Sequence, residues 1–520
     1  MDHMDQQMEK TGTKTPEVLR EELPLQRLIG EGLSQAVVEG EVALPGGLRE
    51  ETHVLLSQAM AALDKSTVEN GRVNAEGKVT FHVLYTQGDP TKVSALEASA
   101  EFSHPIELAG AQSGMQAPIS MMVEHVEASA QGGRLHLMAI LRLHARAFTD
   151  EPLSVVTGIR DMDGLMLRTE TLSALHTASR GVQDVLVRDE CELGAVLQIT
   201  DTLCAQASVT VQEVMGGEGR ATLSGQVLLE VMHTSLMPSR PLVVTRHTIP
   251  FEETIALTGE SGDELCCSAV VRDVAVLSQE GQEEGERTLR AEVLLGLEAH
   301  ATRSRDVKLL LDAYTTQGDV LTLGTQGVQR AVSHRQIHTA ESGKLTLLTE
   351  GMPPVRTPLH ASLRPVITGW SRQNGKLLVE GMMETTLLYM TDDSAAPQSY
   401  HAEEPFRMAF ACDVSLPESM VLTTGNVESS VITSDRVEVK YILHLDCFDV
   451  QLRHEQPVTQ VAAMPAPQSE TGVLVCFAQQ GEGAWEIAKR YRVSPELLLR
   501  MNPQLDESGA QPQRVVLWKR

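Results

Sequence analysis

From position 134 to 145 of the chain, Leu135, Leu137, Ala139, Leu141, Leu143 and Ala145 fall on one side of a two-residue period, with His136, Arg142 and His144 on the other. From 437 to 447, Val437, Val439, Tyr441, Leu443, Leu445 and Cys447 alternate with Glu438, Lys440, His444 and Asp446 in the same way. Alternation of this length predicts antiparallel strands with one buried and one wet face. The turns before them, QGGR at Gln131 and TSDR at Thr433, have hairpin chemistry. A third such hairpin is predicted from 271 to 301, opened by an acidic, glycine-bearing loop.

A second pattern recurs three times. GRVNAEGKVTFHVLYT from Gly71, GRATLSGQVLLEVMHT from Gly219 and GKLLVEGMMETTLLYMT from Gly375 each open on a glycine turn and reach a second glycine. Each then ends eight residues later, at Tyr85, His233 or Tyr389. The second glycines, Gly77, Gly225 and Gly381, lie 148 and 156 residues apart, the spacing of copied domains and not of a solenoid. A proline-marked strand follows each motif, at His104, Ile249 and Glu404. The second glycines are expected to allow a bulge or a positive φ at a sheet bend. The predicted architecture is mainly β: three tandem sandwich- or barrel-like domains at 17–160, 161–306 and 307–461, after a flexible N-terminus at 1–16.

Composition narrows the function classes. Hydrophobic residues make up 42% of 520, enough for packed cores, but aromatics only 3%, so Val, Leu, Ala and Met fill them. The formal charge of −27 argues against nucleic acid as a partner. From Thr471 onward the net charge is +2, against −29 before it, so two surfaces with different partners are expected. The seven cysteines show no paired or metal-ligand spacing, and the first residues lack the apolar core of a secretory leader. No apolar run is long enough to span a bilayer. A cytoplasmic chain without a transmembrane segment is the expectation.

Candidate chemistry is sparse. No Ser/His/Asp, Cys/His or paired-carboxylate constellation occupies matching positions in the three copies, so no catalytic residue is nominated and no enzyme is expected. His82, His136 and His144 invite a metal reading, but His53 and His125 have no counterparts in the other copies, and strand-face histidines explain them better. Neither metal nor cofactor is expected. GGEGRATLSG near Gly216 precedes a predicted strand and lacks the lysine of a phosphate loop, so it reads as a hairpin turn.

The last fifty residues differ. A linker is expected at 462–472, where AAMPAPQSETG carries two prolines. A strand is predicted at 473–477 and a helix at 484–491, with Trp485, Ala488 and Tyr491 at helical spacing. Ser494 as N-cap and Pro495 as first residue start a second helix, with Leu497, Leu498 and Met501 as its buried face. A strand at 515–518 closes the unit.

The run GEGAWEIAKRYRVSPELLLRMNP in this βααβ order resembles the LysM domain. The family's usual first-loop turn is replaced by Gly481-Glu482-Gly483-Ala484, and Arg492 stands where a glycine commonly follows the tyrosine. These departures weigh against the glycan binding common in the family. The G-K-V-x-x-E-G and L-L-Y-x-T wording of the body resembles the SPOCS domain of endospore-forming bacteria. SPOCS repeats with one C-terminal LysM-like domain at 473–520 resemble the SipL-like spore-coat morphogenetic proteins.

That resemblance implies a non-enzymatic scaffold in the mother-cell cytosol, recruited to the forespore surface. Its LysM-like domain would dock on the coat-basement morphogenetic ATPase, with other coat proteins as further partners. The alternative is a cell-wall protein that binds peptidoglycan through N-acetylglucosamine. Six residues are nominated for partner binding. Trp485 and Tyr491 are expected chiefly in the module's own core, Ile487, Lys489 and Arg490 on other helix faces as contact candidates, and Trp518 as either core lid or exposed anchor.

Overall fold

An alternating strand must bury its apolar side against a second sheet, and the chain meets this requirement three times. The computed structural model describes residues 15–23, 25–45, 52–131, 134–150, 152–217, 219–259, 264–280, 286–414, 417–466, 472–479, 482–503, 505 and 514–519. It is mainly β, and among the described residues no sheet closes on itself. The expected N-terminal segment lies outside the described residues up to position 14.

The first β-unit comprises β1 (Glu17–Leu23), β2 (Arg27–Val42), β3 (Thr52–Glu69), β4 (Arg72–Gln87), β5 (Asp89–Glu107), β6 (Ile119–Gln131), β7 (Arg134–Thr149) and β8 (Leu153–Arg160). The second comprises β9 (Leu165–Leu193), β10 (Ile199–Gly217), β11 (Arg220–Ser235), β12 (Leu242–Ala256), β13 (Thr258–Gly259), β14 (Glu264–Glu280) and β15 (Arg287–Thr315). The third holds β16 (Val320–Thr325), β17 (Val328–Leu348), β18 (Thr357–Gln373), β19 (Lys376–Met390), β20 (Gln398–Phe410), β21 (Pro417–Thr433), β22 (Arg436–Glu455) and β23 (Val458–Met464). β15 runs uninterrupted through position 306, and 462–464, expected as linker, is the end of β23 paired with β16.

In each unit a three-stranded meander faces a second sheet across one apolar core. Val79, Phe81 and Val83 of β4 meet Leu137, Leu141 and Leu143 of β7. Val227 and Leu229 of β11 meet Val293 and Leu295 of β15. Val379 and Leu387 of β19 meet Val439 and Leu443 of β22. The wet side of β7 is paired across the strand: His136 with Glu41 at 3.3 Å, His144 with Glu31 at 3.7 Å. In GGEGRATLSG, Gly217 at the end of β10 pairs with Arg220 at the start of β11, antiparallel as in a hairpin.

The motif glycines hold a shared geometry. Gly71, Gly219 and Gly375 turn the hairpins with φ of 80°, 68° and 73°. The second glycines have no positive φ; what they permit is a bulge in the partner strand. Leu63, Val211 and Ile367 pair with Gly77, Gly225 and Gly381, and the next residue in each partner strand is skipped. A Cβ at these glycines would collide with the carbonyl of Ala62, Thr210 or Val366. It would also stand 2.9, 2.9 and 2.8 Å from the rings of Phe102, Phe251 and Phe406.

The units are joined pairwise into one body. Arg272 Nη1 of the second donates to Leu63 O of the first (3.1 Å). Arg142 Nη1 of the first donates to Ile367 O of the third (3.1 Å), and Arg246 Nη2 of the second to Val427 O of the third (2.9 Å). Gln26 ties all three: its N–H donates to Leu175 O, its carbonyl accepts from Ala331 N–H, and its side chain meets Thr177 and His334. Leu55, Leu84, Met232, Leu242 and Leu388, from all three units, form a shared cluster. The β1/β8, β9/β15 and β16/β23 ribbons share another, with Val156, Ile159, Leu310, Leu321 and Val458.

Candidate functional site

The C-terminal module has β24 (Gly472–Phe477), α1 (Ala484–Tyr491), α2 (Pro495–Met501) and β25 (Arg514–Lys519). Ala484, Ile487 and Ala488 of α1, Leu498 of α2, and Val515 and Leu517 of β25 form its core. Asn502, fully buried, ties the end of α2 to β25: its Nδ2 donates to Leu498 O and Val516 O, and its Oδ1 accepts from Val516 N–H at 2.8 Å. Ser494 holds the N-cap position and Pro495 the first turn, but the Ser494 hydroxyl makes no capping bond. Of the expected buried face, Leu498 turns inward at 1% exposed, whereas Leu497 and Met501 are 40% and 36% exposed.

A second face of α1 is occupied by the chain's own body. Trp485 Nε1 donates to Asp312 Oδ2 (2.8 Å), and Lys489 Nζ reaches Asp312 Oδ1 (2.5 Å). The Trp485 ring meets Tyr314 edge-on at 5.1 Å, and the Tyr314 hydroxyl donates to Val493 O at 2.7 Å. Burial, then the neighbouring Asp312, pushes the Tyr314 phenol well above its usual range. Arg168 pairs with Glu486 at 3.2 Å. Arg492 ends α1 in the left-handed region, φ 56°, where a glycine would sit without strain. Its guanidinium donates to Thr315 O, Thr315 Oγ1 and Gly318 O at 2.9, 3.1 and 2.6 Å. Arginine at this position thus exchanges backbone ease for contact with β15 and its following turn.

The nominated residues divide accordingly. Ile487, expected on an open face, is 1% exposed, because a helix this short packs positions 484, 487 and 488 into its core. Trp485 and Lys489 face β15. Arg490 pairs with Glu482 and lies 5.9 Å from the Tyr491 ring centroid, and Tyr491 is half-buried against the module core. Trp518 is 52% exposed.

Trp518 belongs to a surface that pattern reading did not single out. In the β24–β25 ribbon Val473 pairs with Trp518, Val475 with Val516 and Phe477 with Arg514, so these six share one face. Val473, Val475 and Phe477 are 72%, 48% and 70% exposed. The opposite face carries Val515 and Leu517 into the core. The signal lay in the run VLVCF, apolar on both sides of the alternation, which a strand with one covered face does not need.

Several histidines and cysteines of the β-units are buried. His334, edge-on to His300 and tilted against Phe448, is held down to about 4 by burial and by the His300 ring. His233 hydrogen-bonds Thr202 and Thr245, and burial holds it at about 4. Burial pushes the thiols of Cys204, Cys267 and Cys447 up to about 12. Among the described residues no three His, Cys, Asp or Glu side chains converge as a metal site, and no helix is long and apolar enough to cross a membrane.

No curated protein and no solved structure matches the chain. Residues 52–131, β3 through β6 with Gly77 and Phe102, match the family model described as SipL, SPOCS domain, which supports a SipL-like, sporulation-related coat protein.

Proposed function

We propose that the chain is a non-enzymatic scaffold of bacterial endospore coat assembly. In this reading its three β-units are copies of one SPOCS-like sandwich, and its C-terminal βααβ unit is a LysM-like docking domain for the coat-basement morphogenetic ATPase at the forespore surface. The matched segment, together with the recurrence of its bulge–glycine–phenylalanine geometry at Gly225 and Gly381, supports the shared ancestry of the units. The observation that carries the docking role is the exposed apolar face of Val473, Val475, Phe477 and Trp518, in a segment whose net charge from Thr471 onward is +2. Contiguous exposed apolar surface rimmed by polar residues marks interaction sites.

The face of α1 is a poorer candidate, since Ile487 is in the core and Trp485 and Lys489 engage Asp312. Co-sedimentation of the full chain with the ATPase and, separately, with insoluble peptidoglycan tests this reading. Binding to the ATPase alone agrees with it; binding to peptidoglycan alone overturns it.

A further inference from the structure

The three β-units differ at one seam, where the first-sheet edge meets the meander edge. In the first unit Gly32 lies so close to β5 that a Cβ would collide with Glu107 O, and Ser34 Oγ lies 2.7 Å from His104 Nε2. In the second, Gly181 lies equally close to Ala256 O, and β13 pairs with β9 beside it. Gly32 pairs with Ala145 and Gly181 with Ala299; the position paired with Cys447 in the third unit is Ile337. A branched side chain there keeps β17 from approaching β20 as the glycines allow.

Two further inward positions change in the same strand. Val38 and Val187, 3% and 7% exposed, correspond by pairing to Gly343, opposite Tyr441. Ala36 and Val185 correspond to Glu341. The third unit therefore has a larger residue where closure needs a small one and a carboxylate where the others place apolar filling, while over Gly343 the Tyr441 ring and the Met408 methyl take the place of the absent side chain. The result is a slot of about 390 Å³ whose walls include Glu341, Gly343, Met383, Glu404, Met408 and Tyr441. That volume lies at the small end of the range of roughly 300–1,000 Å³ for binding cavities.

Its borders define what fits. The slot is tied shut at one end by Tyr400 Oη donating to Leu348 O (2.7 Å) and at the other by Arg335 Nη2 donating to Asp413 O (2.9 Å). Between them, among the described residues, β17 pairs with β22 alone and β20 with β19 alone, so the other edge of each strand faces the opening. The wall from Glu341 to Leu345, four steps of about 3.3 Å, spans roughly 13 Å. Methionines on the wall adapt to varied side chains.

The slot's charges are unbalanced. Lys344 is engaged by Glu438 at 3.9 Å and Arg407 by Glu380 at 2.9 Å. Among the described residues Glu341 and Glu404 have no cationic partner.

We propose that this slot binds a short extended segment of a partner protein, an apolar residue flanked by Lys or Arg, which adds as a strand to the β17 edge. The apolar side chain lies in the slot against the Tyr441 and Met408 side chains that cover Gly343. The flanking cations pair with Glu341 and Glu404, and backbone bonds to the free edge supply the rest. This surface is separate from the C-terminal module, so its failure leaves the docking reading intact.

The test is fluorescence polarisation of the full chain with two labelled pentapeptides, Lys-Val-Phe-Val-Lys and Glu-Val-Phe-Val-Glu. Saturable binding of the basic peptide alone is expected, weakened at least about tenfold in the Glu341→Lys/Glu404→Lys double variant. Gly343→Val, which restores the filling residue of the other units, is expected to abolish binding. Its Cβ would stand 2.5 Å from the Tyr441 ring, so the double charge variant decides the matter if Gly343→Val melts early. No saturable binding up to about 1 mM, equal binding of the acidic peptide, or undiminished binding by the folded double variant overturns the proposal.

Discussion

Asp312→Ala is expected to loosen the C-terminal module without melting the β-body. Asp312 accepts from the Trp485 indole N–H at 2.8 Å and from Lys489 at 2.5 Å. A hydrogen bond to a charged acceptor contributes about 1.5–3 kcal/mol where water is excluded. The Lys489 side chain is 45% exposed, so its ion pair adds no more than about 0.5 kcal/mol. The total is about 2 kcal/mol, roughly a thirtyfold shift in the docking equilibrium. Docking survives in part, because the three bonds from Arg492 and the Tyr314–Val493 bond remain. Amide hydrogen exchange reads this directly: peptides covering 312–318 and 484–493 are expected to exchange roughly thirtyfold faster, with β4, β11 and β19 unchanged. Unchanged exchange in both peptides refutes the reasoning. So does an equal acceleration in β4, which would make the contact part of the global fold and not a docking seam.

Other consequences follow from the same contacts. Gly225→Ala is expected to destabilise the chain by more than about 2 kcal/mol, since the added Cβ meets both Thr210 O and the Phe251 ring; urea denaturation measures it. Tyr389→Phe is expected to be neutral or stabilising in the same assay, because among the described residues the buried Tyr389 hydroxyl has no hydrogen-bond partner. His233 and His334 are both held at about 4 in the folded chain, below the ordinary value of 6.5. Between those values the unfolded chain binds more protons, so their stabilising effect is complete above about pH 6.5 and is lost as pH falls toward 4. Denaturation midpoints at several pH values check the sign: a midpoint independent of pH across that window contradicts it. Arg492→Gly is expected to relieve about 1 kcal/mol of backbone strain yet speed exchange at 312–318, separating helix-end strain from docking.

The parts of this structure legible in sequence are those with a local period. The alternation at 134–145 and 437–447 became β7 and β22, and the order of elements after position 472 was fixed by Pro495, Asn502 and the apolar strand runs. The motif glycines were visible as special positions, but their reason was not: the bulge lies in the partner strand and the ring of Phe102 is 25 positions away. The faces of α1 are not legible in its sequence, because the helix buries two of them. Positions 484, 487 and 488 fill its own core while 485 and 489 meet a carboxylate more than 170 residues distant, and no periodicity within eight residues separates those demands. Closure of the three units rests on single long-range partners such as Gln26 with His334, 308 residues apart, for which a sequence carries no pattern.

The most direct measurement is the affinity of the full chain for the coat-basement ATPase, compared with Phe477→Ser and Trp518→Ala variants that retain the parent melting temperature. Anchors on a true docking face cost about 2 kcal/mol or more on truncation, so each variant is expected to bind roughly thirtyfold more weakly. Unchanged affinity in both variants contradicts docking through the exposed β24–β25 face.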